Sequence, residues 1–260
     1  MCGDPATKVA KTRRFYEDLG EGCLYFSGVT EPVRKIPIPG RPDKPALIDG
    51  KQVPRRGLGN AQGRIALLHA LAHIEFNAIN LALDAVYRFR DMPRQYVDDW
   101  ARIAYEEACH FGLLSDRLQV MGSHYGAMPA HNGLWDMALK TDHDPLVRMA
   151  LVPRVLEARG LDVAPAMIDK LRQVGDPGSA DILQIIYQDE IDHVRIGNRW
   201  FTELCRQRDL QPAVTFVQLL EQYTHGFLRG PFNKAARTQA GFSESELRAL
   251  EELDANKSEQ

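Results

Sequence analysis

Two copies of a Glu-x-x-His pattern supply the side chains in this sequence that are best suited to bind metal. Residues three apart on a helix project from the same face, so each copy presents one carboxylate and one imidazole to a common point. Each copy also follows a single glutamate in an apolar stripe, by 32 residues in the first copy (107 − 75) and 33 in the second (190 − 157). The residues are Glu75, Glu107 and His110 in the first copy, and Glu157, Glu190 and His193 in the second. This repeat predicts the six-ligand set of a two-metal carboxylate site in a four-helix bundle.

Four carboxylates and two imidazoles are a suitable ligand set for two metal ions. Buried carboxylates need positive charge beside them, and two ions of charge +2 or +3 provide it. Mixed oxygen and imidazole ligation with open positions suits iron or manganese better than a closed structural zinc site. We expect two iron ions, because oxygen activation needs a redox-active metal, and manganese is the alternative.

The roles of the six residues follow by analogy with this class of site. Glu107 and Glu190 would bridge the two metals, which makes them the candidate catalytic residues. The two histidines would be terminal ligands, one for each metal. Glu75 and Glu157 would also be terminal ligands.

Three further residues lie next to the predicted ligands. Glu106 and Asp189 each precede a Glu-x-x-His pattern, and such an acid can accept the free imidazole N–H of the histidine on the opposing helix. Tyr187 lies one turn before Glu190 on the same face. It either donates a hydrogen bond or an electron near the metals, or is a core tyrosine with a satisfied hydroxyl.

Other candidate ligands are better explained by structural roles. His69 and His73 form an i, i+4 pair, but His73 lies two residues from Glu75 and faces roughly the opposite way. Cys109 adjoins His110 but lies about 100° around the helix, which indicates a packing thiol.

Apolar periodicity predicts four long helices with the ligands on their inner faces. The first two are expected at residues 64–89 and 94–120. Turn residues around a short helix in residues 122–141 provide the long crossover that ferritin-like bundles need between the second and third helices. The third helix should begin within residues 142–145 behind an acidic cap, and the fourth should follow a turn at 175–179.

We therefore expect an all-α protein: a ferritin-like four-helix bundle with a long crossover, an N-terminal extended arm and extra C-terminal helices. Pro153 and Gly160 bracket Glu157, so the third helix should be kinked beside its ligand. One or two helices are expected in residues 211–253. The predicted domains are an N-terminal helix and Pro/Gly-rich arm packed on the bundle (1–60), the bundle (61–207) and a C-terminal helical extension (208–260).

Composition favours a soluble, cytoplasmic protein. The net charge of −3 gives no general attraction to nucleic acid or to an anionic membrane. The four cysteines have no CxxC spacing, which indicates reduced thiols. We expect no signal peptide and no membrane span, because the apolar stripes are interrupted by charged residues.

Three segments resemble an uncharacterised bacterial family of ferritin-like proteins, domain-of-unknown-function family 455. They are residues 151–162 (LVPRVLEARGLD), 187–197 (YQDEIDHVRIG) and 230–233 (GPFN), and the resemblance covers most of the chain. That family is more distantly similar to the di-iron tRNA hydroxylase that oxidises an isopentenyl-adenosine modification. The resemblance implies oxygen-dependent hydroxylation without identifying a substrate.

Three functions remain open at this point. The leading hypothesis is a di-iron oxidoreductase that activates O₂ and oxidises an organic substrate, either a small molecule or a tRNA-linked one, with an unidentified electron donor. The alternatives are a ferroxidase or peroxide-scavenging iron protein, and a non-enzymatic metal-binding interaction protein. A homo-oligomer is compatible with each of them.

Overall fold

The computed structural model describes residues 2–24, 31–53, 57–224 and 230–258. In these residues the protein is all-α, as predicted, and its extended backbone pairs only at an isolated bridge between Leu47 and Ala130. The described residues form two compact units. One unit lies within Met1–Asp142 and Leu171–Ile182, and the other within His143–Lys170 and Leu183–Gln260. The predicted domain boundaries at residues 60 and 207 are a separate matter from these two units, and they stay a prediction.

The first unit is built on an antiparallel pair of long helices. Its helices are α1 (Pro5–Gly20), α2 (Ala61–Arg88), α3 (Arg94–Val120) and α4 (Gly133–Lys140). The most extensive packing joins α2 to α3, while α1 packs on α3 and α4 packs on α2. Asn60 caps α2, since its side chain accepts a 2.7 Å hydrogen bond from the Gly63 N–H. Both long helices therefore confirm the predicted hairpin.

The Pro/Gly-rich arm contains one short 3-10 turn, Gly50–Gln52, among its described residues. Backbone bonds tie the arm to the segment after α3: Ala130 donates to Ala46 (3.0 Å) and Ile48 donates to Ala130 (2.8 Å). The Trp135 indole donates to the Ile36 carbonyl over 3.2 Å. The arm is thus held on the crossover by specific hydrogen bonds.

The second unit contains the remaining helices. They are α5 (Pro145–Leu151), a π-helical turn (Val152–Glu157), α6 (Ala158–Gln173), α7 (Pro177–Gln207), α8 (Pro212–Thr224), α9 (Lys234–Gln239) and α10 (Glu244–Ser258). The last residues of α6 and the first residues of α7, within Leu171–Ile182, belong to the first unit. Asp144 caps α5 by accepting from the Leu146 N–H (2.8 Å), and it also pairs with Arg208 (2.6 Å). This is the predicted acidic cap. Three helices follow α7 where one or two were expected.

The π-helical turn ends at Glu157, which confirms that the helix is irregular beside this predicted ligand. Pro153 has no N–H to donate to the preceding turn, so regular α-helical bonding cannot continue through it. The Ala158 N–H instead donates to the Pro153 carbonyl, five residues back. A β-carbon added at Gly197 of α7 would lie 2.3 Å from the Pro153 Cβ. Gly197 therefore lets α7 pack closely on the π-helical turn.

Helix α2 is long and apolar enough to cross a membrane by length and composition. Its most apolar 18-residue window has a mean hydropathy of 1.3, which is higher than the interrupted stripe led us to expect. However, 78% of that window is buried inside the protein, as in the core helix of a soluble protein. The structure is consistent with a soluble chain, and the cytoplasmic location stays a prediction.

We expect Gly197→Ala to lower the free energy of unfolding by about 1–3 kcal/mol, because the added methyl group overlaps the Pro153 ring. Chemical denaturation of the purified protein measures this change. The control is Gly160→Ala in α6, where an added β-carbon meets nothing within 4 Å, and which should be neutral or stabilising. Equal stability of the two variants would contradict the close packing.

Candidate metal centre

The first predicted ligand triad is assembled within the α2/α3 hairpin. Glu75 on α2 is 4% exposed, and Glu107 and His110 on α3 are 0% and 1% exposed. The His110 Nδ1 atom lies 3.3 Å from a Glu75 carboxylate oxygen and 3.4 Å from a Glu107 carboxylate oxygen. One ligand atom from each residue lies within 4.8 Å of the others. This buried group of two carboxylates and one imidazole could hold a metal ion.

The electrostatics of the triad favour a cation. Burial raises the pKa of Glu75 well above its ordinary value, the nearby Glu107 carboxylate raises it further, and His110 opposes both. Two desolvated carboxylates this close repel each other when both are ionised. A bound cation replaces that repulsion with attraction, so the donor set suits a metal ion.

An aromatic cluster flanks this triad. Phe76 follows Glu75 and Phe111 follows His110, and both rings pack on Tyr125, with ring centroids 5.4 and 5.1 Å from the Tyr125 ring. The sequence reasoning did not identify Tyr125, because its position in the crossover gives no periodic signal. The three rings therefore form one packed aromatic cluster at the α2/α3 hairpin.

His69 and His73 have the structural role that their spacing suggested. The His69 ring accepts a hydrogen bond from the Gly126 N–H over 2.9 Å. The His73 ring contacts the Tyr125 hydroxyl (2.9 Å) and the His131 carbonyl (3.1 Å), and burial lowers the pKa of His73 to about 4. The two histidines therefore fasten the crossover to α2 and are engaged away from the triad.

The second predicted triad belongs to the other unit. On α7, the His193 Nδ1 atom lies 3.8 Å from a Glu190 carboxylate oxygen. His193 is fully buried, whereas the Glu190 side chain is 12% exposed and Glu157, at the end of the π-helical turn, is partly buried. The predicted assembly of both triads into one centre, including the bridging roles, stays a prediction.

The neighbouring residues named from the sequence have identifiable contacts. Glu106 lies 3.5 Å from Arg102, one turn back on α3. The Tyr187 hydroxyl accepts a 3.3 Å hydrogen bond from the Asn233 side chain, and its role near the metals stays a prediction. Asp189 is partly buried on α7. The hydrogen bonds that the histidine N–H groups would donate to Glu106 and Asp189 remain predictions.

Arg154 holds the π-helical turn against the C-terminal helices. The sequence pattern did not identify this buried arginine. Arg154 forms an ion pair with Glu246 of α10, and both side chains are buried. Its guanidinium carbon lies 4.0 Å from the centroid of the Phe216 ring and 4.2 Å from that of Phe201. Glu246 also accepts hydrogen bonds from Ser243 in a capping box at the start of α10. The C-terminal helices thus anchor the segment that ends at Glu157.

A second buried ion pair connects the C-terminal region to α6. Arg237 of α9 binds Asp162 through two hydrogen bonds of 2.9 and 2.8 Å, and both side chains are fully buried. Asn233 donates its backbone N–H to Asp162 and its side-chain N–H to the Leu161 carbonyl. Asp162 ends one of the segments that suggested a family resemblance, and Asn233 ends another.

Comparisons with known proteins agree with that resemblance. The family model described as "Protein of unknown function (DUF455)" matches residues 1–248. An "Uncharacterized protein" of Haemophilus influenzae is 46% identical over 220 residues, which cover 82% of this chain and 76% of the relative. No solved structure matches the chain.

We expect Arg154→Met to lower the free energy of unfolding by about 3–5 kcal/mol, because it leaves the Glu246 carboxylate buried without its partner. Chemical denaturation checks this loss. Arg248→Met is the matched control, since Arg248 pairs with Glu244 at the surface of the same helix and should contribute less than about 1 kcal/mol. Losses of similar size in the two variants would contradict the bracing role.

Proposed function

This chain belongs to the DUF455 family of unknown function, and we propose that it is a dinuclear carboxylate oxidoreductase. Its two Glu, Glu-x-x-His triads would together hold two metal ions, with iron as the first choice. The observation that carries the proposal is the buried group of Glu75, Glu107 and His110, whose ligand atoms lie within 4.8 Å of one another. The second copy of the sequence repeat, Glu157, Glu190 and His193, would supply the other ligands of the centre.

The burial of Glu75, Glu107 and His110 is better explained by a metal site than by a structural ion pair. Two glutamates and one imidazole cannot form a neutral, satisfied group while both carboxylates are ionised. The fully buried surroundings of Glu107 also exclude water, which would otherwise stabilise that charge. A divalent or trivalent cation provides the missing compensation.

The two units would make unequal contributions to the centre. The α2/α3 triad is buried, so it would supply the rigid half and resist exchange with solvent. Glu157 and Glu190 are partly exposed, although one carboxylate oxygen of each is buried. We assign O₂ and substrate access to the half that contains these two glutamates.

Bound iron would supply one-electron redox chemistry and O₂ activation, which amino-acid side chains cannot perform. The protein residues would hold the reacting centre in a water-poor environment and fix its geometry. The rings of Phe76 and Phe111, which follow Glu75 and His110 in the sequence, pack on each other with centroids 5.3 Å apart. The substrate is an oxidisable organic molecule, and a tRNA-linked nucleoside is one member of this class.

Metal content tests whether the two triads form one centre. Iron-loaded protein should contain about two metal ions per chain, and Glu107→Gln should lose both, because the removed carboxylate is assigned to both metals. Elemental analysis after desalting measures the ratio. Glu203→Gln, which alters a partly exposed glutamate on α7 that pairs with Arg206, should retain both ions.

Two outcomes of this experiment would contradict the proposal. If Glu107→Gln loses one ion and keeps the other, the triads are separate mononuclear sites. If it keeps both ions, Glu107 is not a ligand. Circular dichroism of each variant confirms that the helices remain folded.

Oxygen consumption distinguishes an oxygenase from an iron-oxidising protein. With excess reductant, the iron-loaded protein should continue to consume O₂ after its own iron is oxidised when metabolite or RNA fractions supply a substrate. An oxygen electrode measures the number of turnovers. Consumption that is no faster with any fraction than with the reductant alone would favour the ferroxidase function instead.

A further inference from the structure

A cavity of about 710 Å³ lies between α1, the N-terminal arm and α2. All three elements belong to the first unit, and none of the residues that line the cavity is a predicted metal ligand. Its volume falls within the usual range for small-molecule sites, about 300–1,000 Å³. The cavity is therefore large enough for an organic ligand.

Positive charge predominates around this cavity. Four cationic side chains line it, against the single carboxylate of Asp84. Asp84 is already bound by Arg88 through hydrogen bonds of 3.0 and 2.7 Å, and Lys35 lies 3.4 Å from Asp142 outside the cavity. The other three cations form a cluster that makes no ion pair in the described part of the chain. This cation cluster consists of Lys8, Lys11 and Arg34.

Lys8 lies at the inner end of the cation cluster. Its side chain is 5% exposed and donates hydrogen bonds to the Gly40 carbonyl and the Asn80 side chain. Its ammonium nitrogen lies 4.5 Å from the centroid of the Phe76 ring. Burial lowers the pKa of Lys8 to about 8, because the neutral oxygens around it compensate the charge incompletely. An anion in the cavity would stabilise the charged form.

Much of the remaining lining of the cavity is apolar. Its apolar wall consists of Phe15, Ile36, Ile38 and Leu83. Ile38 is 69% exposed, so most of its apolar surface contacts water. A ligand with a hydrocarbon or aromatic body would remove this surface from water.

We propose that the cavity binds a small amphipathic organic anion, with its acidic head group at the cation cluster and its apolar body against the apolar wall. The shared chemistry of the head group is a carboxylate or a phosphate, since lysine and arginine side chains bind both. The volume of this open cavity lies in the small-molecule range, which favours a small molecule over a macromolecule. The inference does not depend on the metal centre.

Calorimetry with two simple probes tests the proposal directly. Decanoate carries a carboxylate, and decyl phosphate carries a phosphate on the same chain. At least one of them should bind with a Kd below about 1 mM, and decanol should bind at least about tenfold more weakly. The stronger of the two probes identifies the preferred head group.

Charge variants locate the head group. Lys11→Gln combined with Arg34→Gln should weaken binding of the preferred probe by about tenfold or more. Lys51→Gln combined with Lys140→Gln removes the same charge from exposed positions outside the cavity and should leave the Kd unchanged. Both pairs alter exposed side chains, so folding should be preserved.

Apolar variants locate the body of the ligand. Ile38→Ser should weaken decanoate or decyl phosphate binding, whereas Val120→Ser, at a comparably exposed valine elsewhere, should not. The proposal is wrong if neither anion binds, if decanol binds as tightly as the anions, or if the cation-cluster variant binds as tightly as its control. Unchanged binding in Ile38→Ser would contradict the assigned position of the apolar body.

Discussion

The burial of two carboxylates beside one imidazole is the constraint on which the account of this protein depends. Glu75 and Glu107 occupy the interface of the two longest helices of the first unit, where apolar side chains would give greater stability. Their charges repel each other when both are ionised, and burial weakens screening by bulk solvent. Protonation or a bound cation relieves this repulsion, and His110 completes a donor set that could hold a metal ion.

The second unit positions its triad by different means. The π-helical turn ends at Glu157, and π-helical turns occur frequently at functional sites. Gly197 lets α7 approach Pro153, while Arg154 ties the same turn to α10 through Glu246. The C-terminal helices therefore stabilise the local geometry of a predicted ligand, which explains why the bundle pattern extends beyond four helices.

Local patterns predicted much of the fold and the candidate ligands. The bounds of α3 agree with the prediction because its apolar period and the preceding proline are both local signals. The Glu-x-x-His spacing likewise identifies one helix face without knowledge of the tertiary structure.

The missed features depend on contacts between distant residues. Arg154 and Glu246 are 92 residues apart, and Lys8 and Asn80 are 72 apart, so helical periodicity cannot pair them. Polar side chains such as Lys8 are ordinarily predicted at the surface, and only the packing of the arm on α2 buries this one. The form of the irregularity near Glu157, a π-helical turn, also depends on packing that the sequence pattern does not specify.

Magnetic coupling between bound metal ions is the most direct test of the central claim that the two triads form one centre. Two iron ions joined by shared carboxylates, about 3.5–4 Å apart, should be exchange-coupled. Mössbauer and electron paramagnetic resonance spectra of the iron-loaded, oxidised protein should therefore show a coupled pair without a net spin. Signals from isolated high-spin ferric ions in stoichiometric amount would contradict the account, because they would place the iron in separate sites.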